Sequence, residues 1–131
     1  MRLIICFVAF VLASCESESG SGRDWTPVVQ ADDGTVVYIR ESSIKAVGAF
    51  WRVWTLSNYA EPTEFGAMSQ VVLEQFDCET DRASLLTGTI WSQPNARGED
   101  LGSWESTGED WAYPLPGSVK EAVLKRVCAK R

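Results

Sequence analysis

The sequence predicts an α+β fold, in which a small antiparallel β-sheet of about five to six strands is covered by a C-terminal helix. Short segments rich in β-branched and aromatic residues follow one another from Trp25 to about Trp91, with brief turn-forming links between them. Such links are too short for parallel crossovers, so neighbouring strands are expected to run antiparallel. Only near the C-terminus do apolar residues recur at helical spacing, which places one helix after the sheet.

The individual strands are predicted from alternating side chains and from turn residues. Asp32-Asp33-Gly34 is a turn signal, and it predicts a hairpin between residues 25–30 and residues 36–40. Residues 49–58 alternate regularly and are dense in aromatic and β-branched side chains, which predicts a central strand. Two further strands are predicted at residues 67–78 and 82–91.

Between residues 93 and 110 the periodicity disappears, while glycine and acidic residues accumulate. This pattern predicts a long acidic loop, and long loops in compact domains are usually functional or disordered. Leu101 and Trp104 are the large apolar residues inside it, so we expect them to contact a ligand. The alternative for Trp104 is that its indole folds back onto the core.

The C-terminal helix is predicted to begin at Ser118, directly after Pro116-Gly117. Ser118 and Glu121 have the spacing of a capping box, in which each side chain accepts a hydrogen bond from a free backbone N–H group. Apolar residues then recur on one face of the helix, which indicates that this face packs against the sheet. They are Val119, Ala122, Val123 and Val127, extended by Leu124 and Cys128.

The N-terminus has the pattern of a secretory signal. Met1-Arg2 is followed by an uncharged apolar run that ends at Leu12-Ala13-Ser14-Cys15, which looks like a bacterial lipobox. The run has about half of the ~20 apolar residues that a membrane-spanning helix needs. Ordinary cleaved secretion and a retained helix are the alternatives. We therefore predict a signal peptide at residues 1–14, a flexible tether lipidated on Cys15 at residues 15–24, and one domain at residues 25–131.

We therefore predict that the protein is located at the outer membrane. A lipid would attach it to the periplasmic face or the surface face of that membrane. Acyl chains on Cys15 would anchor the protein without a membrane span. The compartment outside the cytosol is oxidising, and lipidation leaves Cys78 and Cys128 as the remaining pair. We predict that these two form a disulfide. A redox-active or metal-binding pair is the alternative, but the chain has no CxxC motif and no histidine.

Composition excludes several classes of function. The formal charge is −6, and it becomes −7 when Arg2 is removed with the signal peptide. An acidic chain does not bind nucleic acid through a basic surface, so no nucleic-acid partner is expected. No histidine is present to act as a general base, and neighbouring acids such as Asp32 and Asp33 lie in turn-like sequence. We expect no enzymatic activity, no cofactor and no metal site.

The six tryptophans favour a binding protein, because tryptophan presents a large apolar face with a polar N–H group. Trp51 and Trp54 are an odd number of residues apart, so they lie on opposite faces of a regular strand. One of them then needs a second covering layer or a partner, and Trp51 joins Trp104 and Leu101 as a candidate ligand contact. One interpretation of the many tryptophans is a glycan-binding or peptidoglycan-binding envelope module.

Several short motifs occur in a distinctive order between Trp25 and Cys128. They are Val37-Tyr38-Ile39, Ser42-Ser43-Ile44, Val53-Trp54-Thr55-Leu56, Glu74-Gln75-Phe76-Asp77-Cys78, Pro116-Gly117-Ser118 and Val127-Cys128. In this order they resemble the surface-adhesin protein E family of bacterial lipoproteins. The resemblance implies a small antiparallel sheet covered by a C-terminal helix, in an outer-membrane lipoprotein. It also implies adhesion, since the founding adhesin binds host extracellular-matrix and serum proteins.

Overall fold

The computed structural model describes residues 24–129, and this part of the chain forms one antiparallel sheet with a C-terminal helix. The strands pair in the order β1-β2-β4-β5-β6-β7, and the short β3 pairs with β4 beside β2. The predicted α+β class is thereby confirmed. The elements are β1 (Thr26–Gln30), β2 (Val36–Ile39), β3 (Lys45–Val47), β4 (Phe50–Asn58), β5 (Ser69–Asp77), β6 (Arg82–Gln93), β7 (Arg97–Glu105) and α1 (Val119–Cys128).

Two parts of the sequence prediction fall outside the described residues. They are the signal peptide at residues 1–14 and the tether from Cys15 to residue 23. The last two residues, 130 and 131, are also outside. Within residues 24–129, no helix has both the length and the apolar character that crossing a bilayer requires.

The core lies on one face of the sheet, between the sheet and α1. Val53 on β4 and Phe76 on β5 are fully buried there, and they belong to one cluster with Val123 and Val127 of the helix. Trp51, opposite Phe76 in the strand pairing, packs against the same cluster. Because side chains alternate along a strand, this arrangement places Trp54 on the other face. The predicted alternation of the central strand is confirmed.

Helix α1 begins where the capping box predicted. Ser118 Oγ accepts a hydrogen bond from the Glu121 N–H group at 3.2 Å. The Glu121 carboxylate accepts from the N–H of Gly117 at 2.9 Å, because the Ser118 N–H already donates to the Leu115 carbonyl. Both side chains thus satisfy backbone groups that the first turn leaves without a helical partner.

Covalent and ionic contacts hold α1 against the sheet. Cys78, just beyond the end of β5, forms a disulfide with Cys128 in the last turn, as predicted. Glu74 is buried on the helix-covered face, where it pairs with Lys120 of α1 and accepts a hydrogen bond from Thr55 Oγ1 at 2.8 Å. Removing one partner of such a buried pair would leave an uncompensated charge in the core. These contacts fix where the helix lies.

The prediction of a long loop at residues 93–110 is wrong. Strand β6 extends to Gln93, and Arg97–Glu105 forms β7, the edge strand of the sheet. Almost every side chain of β7 is exposed, so the strand has no alternation of apolar and polar residues to reveal it. The strand forms through its backbone hydrogen bonds to β6. Its exposed charged residues are typical of edge strands, because they prevent the edge from pairing with a strand of another molecule.

Trp104 of β7 lies across β6 at Gly88. A methyl group placed on Gly88 would come within 2.6 Å of the indole ring, so the close approach requires glycine at this position. Trp104 therefore lies against the sheet at Gly88.

We expect the Cys78→Ala/Cys128→Ala double variant to lose about 4 kcal/mol of unfolding free energy. The disulfide closes a separation of 50 residues, and its removal restores conformational freedom to the unfolded chain. Urea denaturation followed by tryptophan fluorescence measures the change. Wild-type protein treated with a reductant serves as the control and should unfold like the variant. Equal midpoints for the variant and the oxidised wild type would contradict this prediction.

We expect Ser118→Ala to lower the unfolding free energy by about 1 kcal/mol, because the first turn of α1 loses its side-chain cap. The matched control is Ser42→Ala, at an exposed serine, which should change the unfolding free energy by less than ~0.5 kcal/mol. The same denaturation curves measure both variants. A Ser118→Ala midpoint equal to that of the control would show that the cap does not stabilise the fold.

Candidate functional site

Within residues 24–129, the face of the sheet opposite α1 is covered at one end only. Near the start of β6, Trp111 packs on Phe50 with ring centroids 4.7 Å apart, and Arg82 lies over the same indole at 4.7 Å. The carbonyl of Gly108 accepts a hydrogen bond from Gln75 Nε2 at 3.4 Å. The segment of residues 106–112 thus forms a second covering layer over this end of the sheet.

The described residues leave the other end of this face uncovered, and there they form a groove of about 630 Å³. Its size falls in the range of small-ligand sites, ~300–1,000 Å³. Val71 of β5 is paired with Thr89 of β6, and Trp54 of β4 and Trp91 of β6 line the same groove. Trp25 lies at the side where the described residues begin. The groove is lined by Asp24, Trp25, Arg40, Trp54, Val71, Thr89, Trp91, Asn95, Ala96 and Arg97.

One wall of the groove is the turn between β6 and β7. Asn95 and Ala96 have φ values of 64° and 58°, a left-handed conformation that costs a residue with a Cβ atom about 1–2 kcal/mol. The sheet holds the turn in this state. Asn58 Oδ1 accepts from the Asn95 N–H at 2.8 Å, and Ser69 Oγ accepts from the Ala96 N–H at 3.0 Å. Strain of this kind often marks a functional site.

Two arginines line the groove, and neither forms an ion pair within residues 24–129. The Arg40 guanidinium lies over the ring of Trp25, with Cζ 4.8 Å from the centroid. Arg40 Nε is buried without a hydrogen-bond partner, a condition that costs about 1–3 kcal/mol. By contrast, Arg82 and Arg126 each pair with a carboxylate elsewhere in the domain. The groove therefore holds positive charge that the described residues leave unpaired.

The residues that the sequence singled out as ligand contacts lie elsewhere. Leu101 is 40% exposed and lines a second cavity, of about 440 Å³, on the helix-covered face of the sheet. We call this the Leu101 surface; it consists of Tyr59, Thr63, Phe65, Ala67, Gln70, Ile90 and Leu101. Phe65 is 81% exposed, which makes it the most exposed of the large hydrophobic side chains described here.

Gln70 connects Trp104 to the Leu101 surface. Its Oε1 accepts a hydrogen bond from Trp104 Nε1 at 3.3 Å, and its Nε2 donates to the hydroxyl of Tyr59 at 3.4 Å. Burial raises the pKa of Tyr59, although the hydrogen bond from Gln70 lowers it in part, so the hydroxyl stays neutral at physiological pH. The structure thus brings Leu101 and Trp104 together, whereas Trp51 packs against the core on the same face.

Ser43 and Asp33 form hydrogen bonds within local turns. The Ser43 hydroxyl donates to the Arg40 carbonyl at 2.7 Å and accepts from the Trp54 N–H at 3.0 Å, so it holds a turn. Asp33 accepts from the Thr35 N–H, and this hydrogen bond lowers the pKa of the Asp33 carboxyl. Among the described residues, no three acidic or cysteine side chains converge in a way that could hold a metal ion.

Sequence reasoning missed most residues of the groove. The odd separation of Trp51 and Trp54 did show that one tryptophan lies outside the helix-covered core, and the structure identifies it as Trp54. Arg40 and Arg97 had no recognisable sequence signal, because they are far apart in the chain and line the same groove only through strand pairing. Tyr59 and Phe65 were also missed, since they lie in turn-like sequence around Pro62.

Comparison with solved structures finds the same fold in protein E of Haemophilus influenzae. One structure of that protein is 12% identical, covers 91% of this chain and 92% of its own, and gives a TM-score of 0.60. Crystal form II is 14% identical, with 93% and 98% coverage and a TM-score of 0.59. The protein from a non-typeable strain is 12% identical, with 90% and 82% coverage and a TM-score of 0.53.

The family comparison covers nearly all of the described domain. No curated protein sequence matches the chain. The family model of surface-adhesin protein E, however, matches residues 25–129. The chain therefore belongs to the surface-adhesin protein E family.

Proposed function

We propose that the chain is a lipid-anchored adhesin of the bacterial outer membrane, which binds host extracellular-matrix or serum proteins through the Leu101 surface. Membership of an adhesin family supports the general role. The observation that carries the assignment to a surface is the exposed apolar cluster around Phe65 and Leu101. Clusters of exposed apolar side chains with polar neighbours are typical of protein interaction sites.

The Leu101 surface has the composition expected of a protein interface. Phe65, Ile90 and Leu101 supply apolar area, while the Tyr59 hydroxyl and the Thr63 side chain supply hydrogen-bonding groups. Aromatic residues are enriched at the centres of interfaces, and charged residues are depleted there. No charged side chain lines this cavity. The Gln70 amide also restrains Trp104 and Tyr59, which reduces the entropy lost when a partner binds.

The proposed anchor gives the domain limited reach. If Cys15 carries the acyl chains, then residues 15–23 join it to the described domain, and nine extended residues span about 30 Å. No charged or polar partner is needed to hold the domain at the membrane, because two or more acyl chains anchor a protein stably. On this proposal residues 1–14 are removed as a signal peptide, and residues 25–131 act at the cell surface without catalysis.

The second candidate function is that of an envelope glycan-binding or peptidoglycan-binding module without catalytic activity. The observation that favours it is the groove on the opposite face, where Trp25, Trp54 and Trp91 lie beside polar groups. The two functions use different surfaces, so they can be tested separately.

We expect mass spectrometry of the native protein to find residues 1–14 missing and acyl chains on Cys15, because the sequence before Cys15 has the pattern of a lipobox. A Cys15→Ser variant should be released from the membrane fraction. Native protein that retains residue 1, or an unmodified Cys15, would contradict the proposed anchor.

We expect Leu101→Ser to weaken attachment of bacteria to immobilised matrix or serum proteins by at least about tenfold, since a buried apolar anchor contributes roughly 1.5–3 kcal/mol. The matched control is Leu115→Ser, because Leu115 is 74% exposed but lies away from the Leu101 surface. Protease treatment of intact cells shows in parallel whether the domain faces outward. Equal attachment by both variants would contradict the assignment of this surface.

A further inference from the structure

We propose that the groove formed by Trp25, Trp54 and Trp91 binds a carboxylate-bearing saccharide of the host surface, with a sugar ring stacked on tryptophan and the carboxylate held by Arg40 and Arg97. The inference deepens the glycan-binding alternative. Its assignment to host sugars rests on the proposed adhesin role, whereas the groove itself is independent of the Leu101 surface.

The aromatic residues of the groove are suited to the flat, apolar faces of sugar rings. Three of the six tryptophans of the chain line this one cavity. Trp54 and Trp91 come from strands of a rigid sheet, so their positions do not depend on a mobile loop. Tryptophan combines a large apolar face with an N–H donor, and few rotatable bonds are immobilised when it binds a ligand.

The polar groups of the groove are suited to hydroxyl groups and to one negative charge. Asn95 Oδ1 accepts from Asn58 Nδ2 at 2.8 Å, which leaves the Asn95 amide group free to donate. Arg40 and Arg97 have no carboxylate partner in the described domain, although the chain has an excess of acidic residues. Arginine binds carboxylates through two parallel hydrogen bonds. Asp24, the first described residue, lines the groove as well. Its negative charge and the positive charges of Arg40 and Arg97 give the groove lining one net positive charge.

Stacking on Trp25 holds the Arg40 guanidinium in place before a ligand arrives. The Arg40 Cζ atom lies 4.8 Å from the ring centroid, and no described residue accepts a hydrogen bond from its buried Nε. Such an arrangement fixes the planar group while its remaining N–H groups stay available for an anion. The turn that carries Asn95 and Arg97 is likewise held by Asn58 and Ser69, so both sides of the groove are preorganised.

A saccharide fits this groove better than a peptide. Extended peptides usually bind to sheets by adding a strand at an edge, where unpaired N–H and C=O groups provide main-chain hydrogen bonds. The floor of the groove consists of β4, β5 and β6, whose backbone groups are already paired on both sides. A ligand here meets side chains only, which suits a molecule recognised through ring faces, hydroxyl groups and a carboxylate.

The test compares two sugars that differ in one charged unit, with the full chain in detergent. We expect sialyllactose to bind at least about tenfold more tightly than lactose, because a charge-assisted hydrogen bond contributes that factor or more. Isothermal titration measures both dissociation constants, and quenching of tryptophan fluorescence reports on the groove. The affinity for sialyllactose, but not for lactose, should fall as salt concentration rises. Equal affinities, or no binding of either sugar, would overturn the proposal.

Variants of the two arginines locate the site. Arg40→Gln and Arg97→Gln should each reduce the affinity for sialyllactose towards that for lactose. Lys45→Gln is the matched control, because Lys45 is an exposed lysine on β3 outside the groove. Unfolding curves confirm that each variant is folded. A loss caused by Lys45→Gln as large as that caused by Arg40→Gln would overturn the assignment to the groove.

Two further measurements separate this proposal from the others. Preferential binding of the disaccharide of N-acetylglucosamine and N-acetylmuramic acid would overturn the assignment to host sugars and favour the bacterial cell wall. Leu101→Ser should bind sialyllactose normally even where it reduces attachment to proteins. If Leu101→Ser attaches normally while sialyllactose still binds the groove, the adhesin surface fails and the saccharide site stands.

Discussion

The length of the C-terminal helix is the constraint on which the rest of this domain depends. Helix α1 has ten residues and is about 15 Å long, whereas the nine-residue strands β4 and β5 each extend about 30 Å. One helix of this length covers part of one face of the sheet. The disulfide between Cys78 and Cys128, together with the pair formed by Glu74 and Lys120, holds it at one end of that face.

The areas of the sheet that α1 does not cover differ between the two faces. On the face opposite the helix, the segment that carries Gly108 and Trp111 covers one end and leaves the groove at the other. On the helix-covered face, the Leu101 surface begins where the helix no longer reaches. Both candidate binding surfaces therefore have the same cause: the described residues cover only part of each face of the sheet. Apolar and aromatic side chains on these areas are available to partners because the fold does not bury them.

The two surfaces differ in chemistry, which suggests different ligands. The cavity of the Leu101 surface is lined by apolar and neutral polar side chains, as a protein partner would require. The groove combines three tryptophans with arginines that lack carboxylate partners in the described domain. The two surfaces lie on opposite faces of one sheet, so the two proposed sites do not overlap.

Much of the fold could be predicted from the sequence because the physics concerned is local. Alternation of side chains predicted β4 and β5, the capping box predicted the start of α1, and counting cysteines predicted the disulfide. Strand β7 could not be predicted in this way. Its side chains are almost all exposed, and its existence depends on backbone hydrogen bonds to β6, which leave no pattern in the residue types.

The sequence by itself determined the α+β class, the alternation of side chains along β4 and the pairing of the cysteines. Only the tertiary structure decided where the binding surfaces lie. Trp25, Trp54 and Trp91 are separated by up to 66 positions in the chain, and strand pairing alone brings them together. The same pairing places Arg40 near the turn of Asn95. Such sites depend on the register between strands, and register is a property of the folded sheet that no single segment contains.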